Sequence, residues 1–139
     1  MTDELKTLAQ TLGITSHVIF TGARKDVEEL LQCMDIFASS SLWEGVPTVM
    51  LEAMASGVPI IATDIPGTNE LIQHGKNGWL LPPHDSQTLA ETLLAFIKTP
   101  RLGEDLIKNG KVTVQEYSIG YIAKQYESLY DDLAQKTTT

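Results

Sequence analysis

Two glutamates, Glu44 and Glu52, stand out in this sequence because their type and spacing could do chemistry. On one continuous helix, eight residues would separate them by about 12 Å of rise and about 80° of rotation. Such a separation is too large for a shared proton, so the pair is poorly suited to acid–base catalysis. It suits an elongated ligand instead, because each carboxylate accepts hydrogen bonds from both hydroxyls of a vicinal diol. The residues alone leave an alternative open, with Glu52 as a solvated helix residue and Glu44 as a loop charge.

The chain around the two glutamates predicts a phosphate-binding turn. Small residues at 39–41 follow an apolar strand pattern, Pro47 suits the first position of a helix, and Gly57 suits the left-handed residue that ends it. In open α/β sheets, ligands bind at such strand-to-helix junctions. The free N–H groups from Thr48 to Met50 would point into the cleft with the positive end of the helix dipole. A sugar at one end, a ribose at the other and phosphates between them is the ligand that fits.

Short apolar runs alternate with helical patterns along the chain. Each run is nearly continuous in apolar residues, as expected of strands that are covered on both faces. Strands are predicted at 18–20, 36–38, 59–62 and 79–81, and helices at 4–12, 27–34, 47–56, 68–72, 86–98, 101–109 and 119–134. This alternation predicts a parallel sheet with helical crossovers. The expected fold class is therefore α/β, a Rossmann-like parallel sheet of about four strands with flanking helices.

Several polar residues stand where they could begin these helices. We predict caps at Asp26, with Glu29 completing a capping box, at Asp85 and at Ser118. Before the helix at 68–72, Asp64 or Gly67 could be the cap, although this loop could also touch a substrate. The tyrosines near the end of the chain fall at helical spacings and are predicted to pack the last helix against the body: Tyr117, Tyr121, Tyr126 and Tyr130.

Composition excludes some partners. Ten basic and eighteen acidic residues give a net charge of −8, which argues against a nucleic-acid partner. No apolar run approaches the ~20 residues that span a bilayer. The acidic start is unlike a secretory signal, and the single Cys33, predicted to be buried, cannot form an internal disulfide. These features predict a cytoplasmic location.

Glu44 and Glu52 are the ends of an E-x7-E motif within S-L-W-E-G-V-P-T-V-M-L-E-A-M-A-S-G-V-P-I-I-A-T-D. This segment resembles the large family of retaining, nucleotide-sugar-dependent glycosyltransferases with two Rossmann-like domains, the GT-B type, usually numbered family four. The resemblance continues through residues 18–22, 35–37 and 77–83 and the helix after Asp85. This ordered set of segments is far more specific than the E-x7-E spacing alone.

The resemblance implies roles for individual residues. Glu52 would accept hydrogen bonds from the ribose hydroxyls, and Glu44, the expected catalytic residue, would lie against the donor sugar. The donor-binding turn would comprise Gly45, Val46, Pro47, Thr48 and Val49, with the backbone amides approaching the sugar and the diphosphate. The loop containing Gly22 and Arg24 would lie near the base. The family transfers a hexose from a UDP-, GDP- or ADP-sugar to an acceptor, and it implies neither a metal nor another cofactor.

The resemblance also implies parts that this sequence lacks. In the family, an acceptor-binding domain and the first strands of the donor-binding domain precede the segment that matches residues 4–20. We therefore expect residues 1–136 to be a truncated C-terminal donor-binding domain that is inactive alone, and residues 137–139 to be a disordered tail. Any peripheral membrane attachment would come from the absent segments. The alternative is a non-catalytic glycosyltransferase-like module that serves assembly or self-association through unpaired strand edges.

Overall fold

Short strands alternate with helices in the computed structural model, which describes residues 2–45 and 47–137. The elements are α1 (Thr2–Thr11), a 3-10 turn (Thr15–His17), α2 (Val27–Gln32), β1 (Phe37–Ser39), α3 (Thr48–Ser56), β2 (Ile60–Thr63), α4 (Thr68–Leu71), β3 (Trp79–Leu81), α5 (Ser86–Lys98), α6 (Arg101–Glu116) and α7 (Ile119–Thr137). The three strands form one parallel sheet in the order β1-β2-β3, with Phe37 opposite Ile60 and Ile61 opposite Trp79. The predicted α/β class is confirmed.

The predicted strand at residues 18–20 does not form. Val18 has an extended backbone, with φ −120° and ψ 123°, yet the sheet contains only β1, β2 and β3 among the described residues. The side chain of Ile19 is 87% exposed. An apolar run becomes a strand only where a neighbouring strand takes up its hydrogen bonds. Four predicted strands are therefore corrected to three, and residues 18–20 do not close onto β1.

Both faces of the sheet are covered by helices. Successive residues of a strand point to opposite faces, so Ile60 and Ala62 of β2 face one cluster and Ile61 faces the other. The first cluster includes Met50 and Met54 of α3 with residues of α2 and α4, and the second includes Phe96 of α5 with a residue of α6. Every residue of β2 is buried, as the continuous apolar pattern predicted.

The helix ends test the predicted caps. Asp85 accepts a hydrogen bond from the Thr88 amide at 2.9 Å, and Ser118 accepts one from the Tyr121 amide at 3.3 Å, so both caps are confirmed. Asp26 occupies the predicted N-cap position of α2, but its carboxylate makes no capping hydrogen bond because it binds the Arg24 guanidinium instead.

The C-terminal helices differ most from their predictions. The α6 helix runs to Glu116, and α7 runs to Thr137, so Thr137 is helical rather than part of a tail; residues 138 and 139 lie outside the described residues. No described side chain of α7 is buried, so the prediction that Tyr121, Tyr126 and Tyr130 pack this helix against the body is wrong. Tyr117 lies at the end of α6 and not in α7. Spacing on one helix predicts a shared face, but it does not supply the surface that would cover that face. Cys33 is likewise exposed rather than buried, since it follows the last turn of α2.

Asn77, only 3% exposed, ties the turn before β3 to α6. Its Nδ2 donates to the Leu71 carbonyl at 3.1 Å and to Thr113 Oγ1 at 3.0 Å, and its Oδ1 accepts from the Gln73 amide at 2.7 Å. We expect Asn77→Ala to lower the free energy of unfolding by about 1–3 kcal/mol, because buried partners lose their hydrogen bonds. Urea unfolding followed by circular dichroism would measure this. Asn69→Ala, at an exposed asparagine, is the control, and an equal loss there would contradict the expectation.

Candidate functional site

The turn between β1 and α3 lies at the carboxyl end of the sheet. Glu44 is half-buried in this turn, and Glu52 is exposed in the second turn of α3. Pro47 is buried and occupies the N-cap position rather than the predicted first helical position, so α3 begins at Thr48. Gly57 ends the helix with φ 76°, as predicted. Val46 lies outside the described residues.

The start of α3 leaves backbone donors available. Pro47 provides no side-chain cap, and the first amides of a helix, here those of Thr48 and Val49, have no intrahelical acceptor. The Met50 amide donates to the Pro47 carbonyl at 2.9 Å, so the prediction that it also points freely into the cleft is wrong. Together with the positive end of the helix dipole, the two remaining amides suit an anionic group.

A chain of hydrogen bonds holds Glu44. The Ser41 hydroxyl donates to Glu44 Oε1 at 2.6 Å, and the hydroxyl oxygens of Ser39 and Ser41 are 3.2 Å apart. Thr63, the last residue of β2, donates through Oγ1 to the Ser41 carbonyl. Neither Ser41 nor Thr63 was predicted as a site residue, although a serine three residues before a loop glutamate was a local signal for Ser41.

Gly67, in the loop after β2, lies in close contact with the backbone of the same turn. It occupies the N-cap position of α4 with φ 84°. A Cβ added there would lie 2.3 Å from the Gly45 carbonyl oxygen and 2.6 Å from that of Glu44. Gly67 is therefore both the predicted helix start and a support for the turn, whereas Asp64 accepts from Asn69 Nδ2 at 2.8 Å. Sequence patterns carry no signal for the close approach.

A cavity of about 330 Å³ opens beside this turn at the carboxyl ends of all three strands. Its lining includes Ser39, Ser40, Thr63 and Leu81 from the strand ends and His84 and Asp85 from the loop before α5. His84 has φ 62°, a conformation that is uncommon for residues other than glycine. Open α/β sheets bind ligands at this end of the strands, so the cavity adjoins the turn where a ligand is expected.

The two residues that were predicted to lie near the nucleotide base, Gly22 and Arg24, are in a loop apart from this turn. Gly22 and Arg24 lie in the exposed loop before α2. The Arg24 guanidinium donates to both carboxylate oxygens of Asp26, through Nε to Oδ1 at 2.7 Å and through a terminal nitrogen to Oδ2. This pairing raises the pKa of Arg24 and lowers the pKa of Asp26. Among the described hydrogen bonds, none joins this loop to Glu44 or Glu52.

Residues 2–45 and 47–137 lack both a cluster of metal ligands and a membrane-spanning helix. These residues contain no group of three or more histidines, cysteines or acidic residues that could hold a metal ion. Within the same ranges, no helix is both long enough and apolar enough to cross a membrane.

Comparison with known proteins identifies similar chains. A family model described as "Glycosyl transferases group 1" matches residues 1–113. The N-acetyl-alpha-D-glucosaminyl L-malate synthase of Bacillus anthracis is 35% identical over 127 residues, which are 91% of this chain and 33% of that protein. This chain thus spans about a third of the length of the curated relatives it matches.

Solved structures share the fold. Anabaena Alr3699/HepE in complex with UDP-glucose is similar with a TM-score of 0.84 and 30% identity, over 94% of this chain and 36% of that one. The C-terminal domain of a glycosyl transferase group 1 family protein (LpcC) from Francisella tularensis is similar with a TM-score of 0.74 and 32% identity. That match covers 85% of this chain and 63% of the LpcC chain.

Proposed function

Because this chain belongs to the glycosyl transferases group 1 family, we propose that it binds a nucleoside-diphosphate sugar at the turn between β1 and α3. The observation that carries the proposal is a carboxylate, Glu44, held by Ser41 beside an uncapped helix start. A second carboxylate, Glu52, is exposed one turn further along the same helix. The order of these groups along the turn is that of a sugar, a diphosphate and a ribose.

Each part of the ligand has a proposed partner. The amides of Thr48 and Val49, at the positive end of α3, bind the diphosphate. Glu52 accepts hydrogen bonds from the two ribose hydroxyls, and Glu44 does the same for the donor sugar. The HepE structures, solved with UDP-glucose and with UDP, support a UDP-sugar as the first ligand to test.

The proposed reaction is transfer of a hexose with retention of anomeric configuration. The bond between the anomeric carbon and the diphosphate oxygen breaks, and a bond forms from that carbon to the acceptor's hydroxyl oxygen. The hydroxyl proton passes to the departing diphosphate, so the balance requires no protein nucleophile. Glu44 is the proposed catalytic residue because it lies against the sugar that reacts.

The proposed unit of function is a donor-binding domain at residues 1–136. The chain spans about a third of its curated relatives, and its match to a C-terminal domain of this family supports the assignment to the donor-binding half. Transfer would then need an acceptor-binding domain such as the family resemblance implies. A second candidate, a non-catalytic module that self-associates, is favoured by the exposed apolar side chains of Ile19 and α7. Titration with nucleotides distinguishes the two, because only the first requires binding.

Glu52→Ala and Glu44→Ala test the proposed positions of the ribose and the sugar. We expect Glu52→Ala to weaken binding of both UDP and UDP-glucose by about 1.5–3 kcal/mol, the contribution of hydrogen bonds to a charged group. Glu44→Ala should weaken UDP-glucose while leaving UDP nearly unchanged. Calorimetry or NMR titration at millimolar ligand would measure both, with GDP- and ADP-sugars as further arms.

Glu127→Ala, at an exposed glutamate of α7, is the matched control for the loss of one negative charge. Unchanged UDP affinity in Glu52→Ala would remove the ribose assignment. Parallel loss of UDP and UDP-glucose in Glu44→Ala would mean that the turn collapses, and the sugar assignment of Glu44 would then be dropped.

A further inference from the structure

The hydroxyl of Ser41 donates a hydrogen bond directly to Glu44, and this bond determines which serine is the donor in the contact between Ser39 and Ser41. The donor–acceptor distance from Ser41 Oγ to Glu44 Oε1 is 2.6 Å, the usual length of a charge-assisted hydrogen bond from a hydroxyl to a carboxylate. An ionised carboxylate only accepts, so the single hydroxyl hydrogen of Ser41 is committed to Glu44. In the contact at 3.2 Å between the two serines, Ser39 must therefore donate to Ser41. The chain of donors runs from Ser39 through Ser41 and ends on Glu44.

The carboxyl ends of two neighbouring strands, β1 and β2, anchor this chain of hydrogen bonds. Ser39 is the last residue of β1 and is in register with Ala62 of β2. The Ser41 carbonyl accepts from Thr63, which is 7% exposed and ends β2. The backbone of Ser41 is thus fixed by one strand while its side chain is oriented by the other.

We infer that Ser41 is the positioning residue that holds the Glu44 carboxylate ready for the donor sugar, an inference that rests on the function proposed above. A glutamate side chain in a half-exposed turn can adopt several rotamers. If one rotamer is fixed before the ligand arrives, the entropic cost of ordering the side chain on binding is smaller. Ser41 is half-buried, and it acts on the ligand only through its hydrogen bond to Glu44. Its contribution is therefore confined to the sugar end of the ligand and does not extend to the ribose.

The first test needs no ligand. NMR relaxation of the Glu44 side chain in the free protein should give a high order parameter, which falls in Ser41→Ala and is restored in Ser41→Thr, where the hydroxyl remains. Ser40→Ala, at an exposed neighbour that hydrogen-bonds none of these groups, should leave it unchanged. A low order parameter for the Glu44 side chain in the parent would overturn the inference. An order parameter that is unchanged in Ser41→Ala would also overturn it, whether or not any nucleotide binds.

The second test uses affinity. We expect Ser41→Ala to weaken UDP-glucose binding about 10- to 150-fold, the range that corresponds to one lost hydrogen bond to a charged group, with UDP affinity within about twofold of the parent. In the Glu44→Ala background, the same substitution should cost nothing further, because coupled residues are non-additive. Additive losses, or equal losses for UDP and UDP-glucose, would assign Ser41 a general structural role instead. If the parent bound neither ligand, the proposed function would fail, whereas the relaxation result would still decide whether Ser41 holds Glu44.

Discussion

Gly67→Ala is expected to weaken nucleotide-sugar binding by about 10²-fold or more, although residue 67 need not touch the ligand. An alanine Cβ would lie 2.3 Å from the Gly45 carbonyl oxygen and 2.6 Å from the Glu44 carbonyl oxygen. Both atoms belong to the backbone, so no side-chain rotation can relieve the overlap. The backbone of the turn that carries Glu44 must therefore shift, which would change the distance between the proposed sugar contact at Glu44 and the proposed diphosphate contacts at the start of α3.

The positive φ of Gly67 contributes a separate penalty that a control can isolate. Gly75 has a similar φ of 71°, but an added Cβ there would meet nothing within 4 Å. Gly75→Ala should therefore lower the free energy of unfolding by roughly 1–2 kcal/mol through backbone strain alone, and the variant should keep its affinity for the ligand. Calorimetric titration with UDP-glucose and thermal unfolding would be measured for both variants. If Gly67→Ala bound ligand as well as Gly75→Ala does, the support of the turn by Gly67 would be disproved.

Ile60→Ala is expected to cost about 2–5 kcal/mol of stability, a large part of the 5–15 kcal/mol typical of a domain. Ile60 is 0% exposed on the central strand and packs in the cluster shared with α2, α3 and α4. Truncation there leaves a cavity between the sheet and the helices. Urea unfolding monitored by circular dichroism gives the free energy directly.

Ile19→Ala is the matched comparison, since the same side chain is removed from a segment with the same apolar sequence pattern. Ile19 is 87% exposed, so the loss should stay within about 0.5 kcal/mol. A loss at Ile19 as large as that at Ile60 would mean that residues 18–20 are buried in solution, contrary to the structure.

The elements that the sequence predicted well depend on local signals. The strand Trp79–Leu81 and the helix Ser86–Lys98 have the predicted bounds. An apolar run that is followed by two prolines marks the first, and Asp85 as a cap marks the start of the second. The parallel order of the sheet followed from the alternation of strands and helices, which requires crossover connections.

The errors arise where a distant or competing partner decides the outcome. Residues 18–20 carry the pattern of a buried strand, but a strand also needs a neighbour, which a local pattern cannot supply. Asp26 had the position of a cap, yet Arg24 offers its carboxylate a charged partner two residues away. At the candidate site, Glu44 and Glu52 were visible from spacing, whereas the contacts of Thr63 and Gly67 with the turn join residues that are far apart in sequence.

The bond from Thr63 to Ser41 spans 22 residues and has a consequence for folding order. A contact between residues so far apart in sequence requires the intervening chain to close into a loop, which costs conformational entropy. Here the loop closes when α3 forms and β2 pairs with β1. Before that step, neither Thr63 nor Gly67 is close enough to contact the turn between Glu44 and Glu52. The two glutamates are then present but not held in position. The turn that carries Glu44 is therefore expected to form late in folding, and local opening at the ends of β1 and β2 would disrupt it while the helices remain folded.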